Sequence, residues 1–388
     1  MATFPQNPIS GSPLIGSPVI IAVQPMAHDV RWTFHRIVLR VMAALVVPDG
    51  TDGGQLSDTD YTTLSFTTPV DYTTDASGAV TATKAAQFDI SSALQAVASR
   101  YEYQYAPPSQ YPYIKFRVMA WDEYMLDGDT YDTWDDAALL PGIHAATRQY
   151  YYYYALQGAF SDMERIMSGG SRELSRFTRK PLTTPEVVFR GSQVLMPATL
   201  GDPAGLDCDY ADPTTGDFVD AHPTGYPRTV VYTPTLTGAN TLGDRTVYAI
   251  AKPKDGFEIR FVNGLGCLES IHVRSLRTVS VDIEVEQHAV SRFETFSKFS
   301  RGLAVKQAGH EKWQMTSGPQ DEAWASWYLH EFLQTQTCWL QVGTVWVPCH
   351  VLPDETVTLV NRQKADLMEV QFTLQLDITG SPMSALQV

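Results

Sequence analysis

Apolar and polar residues alternate with period two along much of the chain, in short runs separated by Gly, Pro, Asp and Asn. In 114–120 the residues Ile114, Phe116, Val118 and Ala120 share one side. In 368–378 Val370, Phe372, Leu374 and Leu376 lie opposite Gln371, Thr373, Gln375 and Asp377. Successive strand side chains point to opposite faces, so this alternation predicts strands with one buried face. Further strands are predicted at 19–23, 34–46, 64–66, 80–88, 150–156, 229–232, 246–251, 258–262, 270–273, 279–286, 337–342 and 345–352. The period changes in 320–336, where Trp324, Trp327, Tyr328, Leu329 and Phe332 recur at helical spacing. Pro319 at the first helical position and Asp321 and Glu322 in the first turn support a helix there. A short helix at 93–99, capped by Ser91 or Ser92, and a connecting helix at 160–168 complete the elements.

Short strands at this spacing predict a mainly β protein built from two β-sandwich-like domains with a few short helices, the Trp-rich one packed on the C-terminal sheet. The first domain is placed at 1–156, a helical linker at 157–181 and a second β domain at 182–388. Turn formers crowd 48–60, read as an exposed loop, and 201–225, read as an excursion from the second sheet. A length of 388 residues with 24 Pro and 26 Gly suits such a turn-rich, multi-domain chain.

Charge narrows the partners. A net charge of −15 argues against binding DNA or RNA along the phosphate backbone, which needs clustered Lys and Arg. The basic residues Arg172, Arg176, Arg179 and Lys180 form only a short run, read as a helix end or linker. Only 18% of residues are charged, consistent either with a surface partly covered by partners or with a Ser/Thr/Gln-rich exterior. No apolar run reaches the ~20 residues that span a bilayer, so no membrane insertion is expected. Residues 1–16 lack the basic and apolar regions of a secretory signal, and synthesis in a cytosol is expected. Cys208, Cys267, Cys338 and Cys349 form no CxxC pair, so neither zinc nor a disulfide framework is indicated. Cys338 and Cys349 fall on adjacent strands of a predicted hairpin, able to face each other, and are read as reduced core thiols.

The strongest chemical candidate is the acidic stretch 122–136, with Asp122, Glu123, Asp127, Asp129, Asp132, Asp135 and Asp136. Crowded hard oxygens suit Ca²⁺, with Asp127, Asp129 and Asp132 the candidate ligands. Gly128 is misplaced for an EF-hand and no glutamate closes the loop, so a solvated loop without metal is the reading adopted. The run Tyr150 to Tyr154 places Tyr150, Tyr152 and Tyr154 on one strand face and Tyr151 and Tyr153 on the other. One face is then core and the other surface, open to packing, a subunit contact or stacking on sugar rings. The histidines are scattered, neither HExxH nor GxSxG occurs, and Asn263-Gly264-Leu265-Gly266 reads as a turn, so neither an enzyme nor a cofactor is expected.

A helix followed by a strand, the Gly343-Thr344 turn, a second strand and a long terminal strand is similar in layout to the C-terminal unit of tailed-bacteriophage tail-tip and baseplate structural proteins. Pro5-Gln6-Asn7-Pro8-Ile9, Phe88-Asp89-Ile90-Ser91-Ser92 and Ile259 to Gly266 resemble phrases of the same family. The resemblance implies a non-enzymatic virion tail component, a minor or distal tail protein. It would form a ring of its own copies, linking other tail proteins to the host-attachment parts. Trp324, Trp327 and Tyr328 are expected to bury against the second sheet or a neighbouring subunit. A glycan-binding adhesin or receptor-binding protein using the tyrosine run is the alternative.

Overall fold

The protein is seen here as a computed structural model, which describes residues 13–25, 32–47, 61–100, 106–108, 112–126, 150–161, 164, 178–181, 184–199, 227–242, 245–282, 285–290, 301–306, 310–352, 359–362 and 367–377. It is mainly β, with several sheets. The expected loops at 48–60 and 201–225, most of the connecting helix at 160–168, and Asp127, Asp129 and Asp132 lie outside these residues.

The N-terminal region contains β1 (Ile20–Val23), β2 (Trp32–Val46), β3 (Thr62–Pro69), β4 (Tyr72–Thr74), β5 (Val80–Thr83), β6 (Ala86–Asp89), α1 (Ser91–Ala98), β7 (Tyr113–Leu126) and β8 (Tyr150–Ala155). A four-stranded sheet runs β3-β2-β7-β8, every pair antiparallel, with β2 and β7 matched from Val46↔Tyr113 to Trp32↔Leu126. Its inward residues Ile37, Leu39, Val41, Phe116 and Val118 join Ile21 of β1, Phe88 of β6 and Leu94 of α1 in one core. The single strand expected at 80–88 divides into β5, which pairs with β4, and β6, which pairs with β1. Neither serine caps α1: Ile90 holds the cap position, and the Asp89 carboxylate accepts the N–H of Ser91 at 3.0 Å and of Val19 at 3.2 Å. Burial alone would raise the Asp89 pKa, but these bonds outweigh it and hold the carboxyl below its usual range.

A small central region follows: β9 (Glu186–Phe189), β10 (Val194–Thr199), β11 (Pro227–Tyr232), β12 (Gly238–Leu242) and β13 (Arg245–Ile250). β9 pairs in parallel with β13 and β10 pairs with β11, around Val188, Val194, Val247 and Ala249.

The C-terminal region contains β14 (Gly256–Val262), β15 (Leu268–Asp282), β16 (Val285–Val290), β17 (Arg301–Lys306), β18 (His310–Gln320), α2 (Glu322–His330), a 3₁₀ turn Phe332–Gln334, β19 (Cys338–Val342), β20 (Val345–Leu352), β21 (Leu359–Arg362) and β22 (Leu367–Leu376). The order β18-β15-β14-β19-β20-β22 closes on itself because β22 also pairs with β18, from Lys312↔Gln375 to Gln320↔Met368. The result is a closed antiparallel barrel, with β21 alongside the free part of β22. Its interior holds Ile259, Phe261, Ile271, Val273, Leu340, Val370, Phe372 and Leu374, the side of β22 that the alternation assigned inward. The strands expected separately at 270–273 and 279–286 begin as one, β15, whose register shifts between Ser275 and Val279.

The Trp-rich helix is shorter than 320–336. Pro319 and Gln320 end β18 opposite Glu369 and Met368, so the helix begins only after Asp321. The Asp321 side chain caps it by accepting the Trp324 N–H at 2.9 Å. Gly318, at φ +70, allows β18 to bend before that point. After His330 the chain tightens into the 3₁₀ turn, which carries Phe332 into the core.

Candidate functional site

Trp324, Trp327 and Tyr328 are buried in the barrel cluster, and the helix they occupy is an integral part of the core. Trp327 meets Phe261, Trp324 and Tyr328 edge to face at 5.9, 5.4 and 5.2 Å between ring centres, and Phe332 touches both Phe261 and Phe372. Burial and the nearby Glu186 carboxylate push the Tyr328 phenol well above its ordinary pKa, so the ring stays neutral.

The tyrosine run forms β8, an outer strand of the N-terminal sheet among the described residues. Tyr153 is buried against Phe116 at 5.3 Å, and Tyr154, on the opposite face, is buried against Tyr113 at 5.5 Å. Both faces are therefore covered at this end of the strand. The division into one core and one surface face does not hold here, and Tyr154 leaves any sugar-stacking platform. Tyr154 instead belongs to a cluster that joins Leu14, Val46, Tyr113 and Leu156 to Leu265, Cys267, Leu268 and Trp339 of the barrel.

Asp122 and Glu123 are not part of a solvated loop. They lie inside β7, buried, beside His35 and Arg36 of β2. The His35 Nε2 to Asp122 Oδ1 distance is 2.8 Å, and Arg36 Nε and Trp121 Nε1 donate to the Glu123 carboxylate at 2.6 and 3.1 Å. Basic partners were missing from the acidic stretch because they come from 87 residues away in sequence.

A dense polar arrangement lies where the N-terminal region meets the barrel, around the turn Asn263 to Cys267. Asn263 Oδ1 accepts the N–H groups of Leu265 and Cys267 at 3.0 and 2.8 Å, while its amide donates to Glu269 at 2.7 Å. Gly266 takes φ +83, as a turn residue must, and fits against the strap 157–159. A Cβ on Gly158 would overlap the backbone of Leu265, so strap and turn are in direct contact. Their backbones are also bonded, Ala159 N–H donating to the Gly264 carbonyl at 2.9 Å.

Arg179 clamps this joint. It donates to Glu164 at 2.8 and 3.0 Å, to Glu331 at 2.8 Å and to the Ala159 carbonyl at 2.8 Å. Glu331 then accepts the Gly264 N–H at 2.6 Å, and Glu164 forms a reciprocal cap with Ser161. Burial works against both charges, yet the partners win: the guanidinium pKa is raised and the Glu164 pKa lowered. A cavity of about 480 Å³ opens beside the clamp, lined by Gln157, Ser161, Arg179, His330, Glu331 and Thr335. Its charged groups are engaged with one another, an arrangement suited to holding segments in place.

Lys180 is buried next door, donating to Glu186 Oε1 at 2.7 Å and the Ser270 carbonyl at 2.6 Å, with its ammonium 5.5 Å from the Trp327 ring centre. His272, one strand position pair further along β15, packs on Phe189 at 5.1 Å and has no hydrogen-bond partner for either ring nitrogen among the described residues. Burial, then the nearby Lys180 and Lys252 charges, lower its pKa to about 3, so the ring stays neutral.

Sequence reasoning located Arg179 and Lys180 only as a helix end or linker, and it missed Gly158, Glu164, Glu186, Glu269 and Glu331. Charged residues beside glycines that must approach another backbone were the available signal, but nothing local paired them. Comparison with known proteins finds no matching family model, no matching curated protein and no matching solved structure.

Proposed function

We propose that the chain is a non-enzymatic structural subunit that assembles with copies of itself into a ring, and that the ring belongs to the tail tip or baseplate of a tailed bacteriophage. The self-assembly half is carried by one observation, the outer strand of the N-terminal sheet. β3 reads Thr-Thr-Leu-Ser-Phe-Thr-Thr-Pro, carries no charge, and has β2 on one side and no strand on the other among the described residues. Edge strands of that kind template pairing with another chain unless charge or a bulge blunts them. A head-to-tail contact with the right rotation closes into a ring. The virion half rests on the resemblance in layout, a helix laid against a strand meander that ends the chain, and the buried Trp-rich helix is consistent with it.

Light scattering and negative-stain microscopy of the full chain test the assembly. Rings of several copies are expected, and Ser65→Lys, which places a charge on an exposed position of β3, should yield monomers of unchanged stability. A monomer at every concentration up to the solubility limit would overturn the ring. Gold-labelled antibody on tailed particles tests the location: label at the distal end is expected, and particles without label would sink the virion assignment while leaving the ring intact.

A further inference from the structure

The barrel interior contains two thiols that the assembly reading does not use. Cys338 begins β19 and Cys349 lies in β20, directly opposite in register, both buried, with their Sγ atoms 3.5 Å apart. We propose that Cys338 and Cys349 form a redox-modification site, a dithiol that closes reversibly into a cross-strand disulfide on meeting a low-molecular-weight disulfide such as oxidised glutathione. The proposal stands independently of the ring.

Register makes the closure feasible. Val342 pairs with Val345 across the two-residue turn Gly343-Thr344, and Pro348, which has no N–H, sits opposite Trp339. Counting outward from the turn, the cysteines occupy a hydrogen-bonded pair, whose Cα atoms lie ~5.5 Å apart in antiparallel sheets. That is inside the ~4.4–6.8 Å range of disulfides. The Cβ atoms of such pairs are ~5 Å apart, wider than the ~3.8 Å a disulfide prefers. The bond therefore forms under some strain, and strained bridges are the ones most easily reduced again.

The exchange balances without other reactants. One cysteine thiolate attacks a sulfur of oxidised glutathione and expels a glutathione thiolate. The other cysteine attacks the protein sulfur of the mixed disulfide, forming the Cys338–Cys349 bond and expelling the second glutathione. The two protons lost by the cysteines end on the two glutathiones, and the dithiol is oxidised by two electrons. The bond to Cys338, followed by burial, raises the Cys349 thiol pKa well above its usual value. Reaction is accordingly slow and waits for this end of the hairpin to open, faster at higher pH.

The test equilibrates the full chain in glutathione buffers of graded ratio, folded and in urea, traps thiols with N-ethylmaleimide and maps the peptides. Two of the four cysteines should lose alkylation, in a peptide pair linking 338 to 349. Their effective concentration should be at least about tenfold higher in the folded chain than in urea, about 30 mV for a two-electron couple. Excess reduced glutathione should restore both thiols, and Cys349→Ser should stop at a mixed disulfide. An effective concentration in the folded chain equal to or below that in urea would overturn the site, and a bond that resists reduced glutathione would overturn its reversibility.

Discussion

The N-terminal sheet and the C-terminal barrel meet the same problem, burying one face of a sheet, in opposite ways. Among the described residues the sheet keeps two outer strands, β3 and β8, and it fills its core largely with Ile, Leu and Val from β1, β2, β7 and the Ala-rich helix α1. The barrel pairs β18 with β22, removes those edges, and its core cluster includes the large rings of Trp324, Trp327, Tyr328, Phe261, Phe332 and Phe372. The aromatic helix supplies Trp324, Trp327 and Tyr328 to the same buried cluster as the barrel strands. The difference in edges is what the proposed assembly rests on: the barrel closes its sheet by its own pairing, whereas the outer strand β3 is the one proposed to accept another chain.

That contrast breaks most sharply at Trp327. Its ring touches three other aromatic rings and carries the Lys180 ammonium above it. Trp327→Ala should cost ~3–5 kcal/mol in urea unfolding through the cavity left behind. A loss below about 0.5 kcal/mol, the size of an ordinary surface change, would mean that the Trp327 ring is not part of the packed core.

A second test uses pH to read the packing of β9 against β15. The folded His272 pKa of about 3 lies below its ordinary 6.5. The ring's contribution is therefore complete above pH 6.5 and is lost progressively as pH falls toward 3, because the unfolded chain takes up the proton first. Between pH 7 and 4.5 this amounts to about 2–3 kcal/mol at 1.36 kcal/mol per unit. His272→Leu should remove that part of the acid sensitivity while leaving other slopes in place. Identical pH profiles for the two proteins would show that the ring is not sealed from water.

The joint between the regions gives a comparable or smaller effect. Gly158→Ala places a methyl group into the Leu265 backbone and should destabilise by about 1–3 kcal/mol, through displacement of the strap from the turn. Increased proteolysis near the strap is the accompanying readout. An unaltered melting temperature would show that the two backbones part easily. Ser65→Lys on β3 completes the series, with a stability change within about 0.5 kcal/mol and its effect confined to assembly.

Period-two alternation was enough to find β7, β14, β20 and β22 and the inward face of β22, since apolar residues repeat along one face of each, but it did not reveal that the second face of β7, with Arg117, Met119 and Trp121, is buried as well. It was not enough for β18, whose sequence His-Glu-Lys-Trp-Gln-Met-Thr-Ser-Gly-Pro-Gln has no sustained alternation and forms because β15 and β22 pair with it on either side. The β5 and β6 strands were merged because Lys84-Ala85 between them carry no Gly, Pro, Asn or Asp turn signal, and what separates them is the partner each takes, β4 for β5 and β1 for β6.

The polar clusters show the same limit more strongly. Asp122 and Glu123 resembled the start of an acidic loop, and only the β2–β7 register brings His35 and Arg36 to them. Arg179 is joined to Glu331 across 152 residues, Lys180 to Ser270 across 90, and neither pairing leaves a local pattern. By itself the sequence determined the mainly β class, most barrel strands and the aromatic helix, because strand and helix periods are properties of neighbouring residues. The closed pairing of β18 with β22, the burial of both Tyr153 and Tyr154 at the end of β8, and the clamp at the joint were decided by tertiary structure, because each depends on which distant backbone or opposite charge the folded chain brings within a few ångströms.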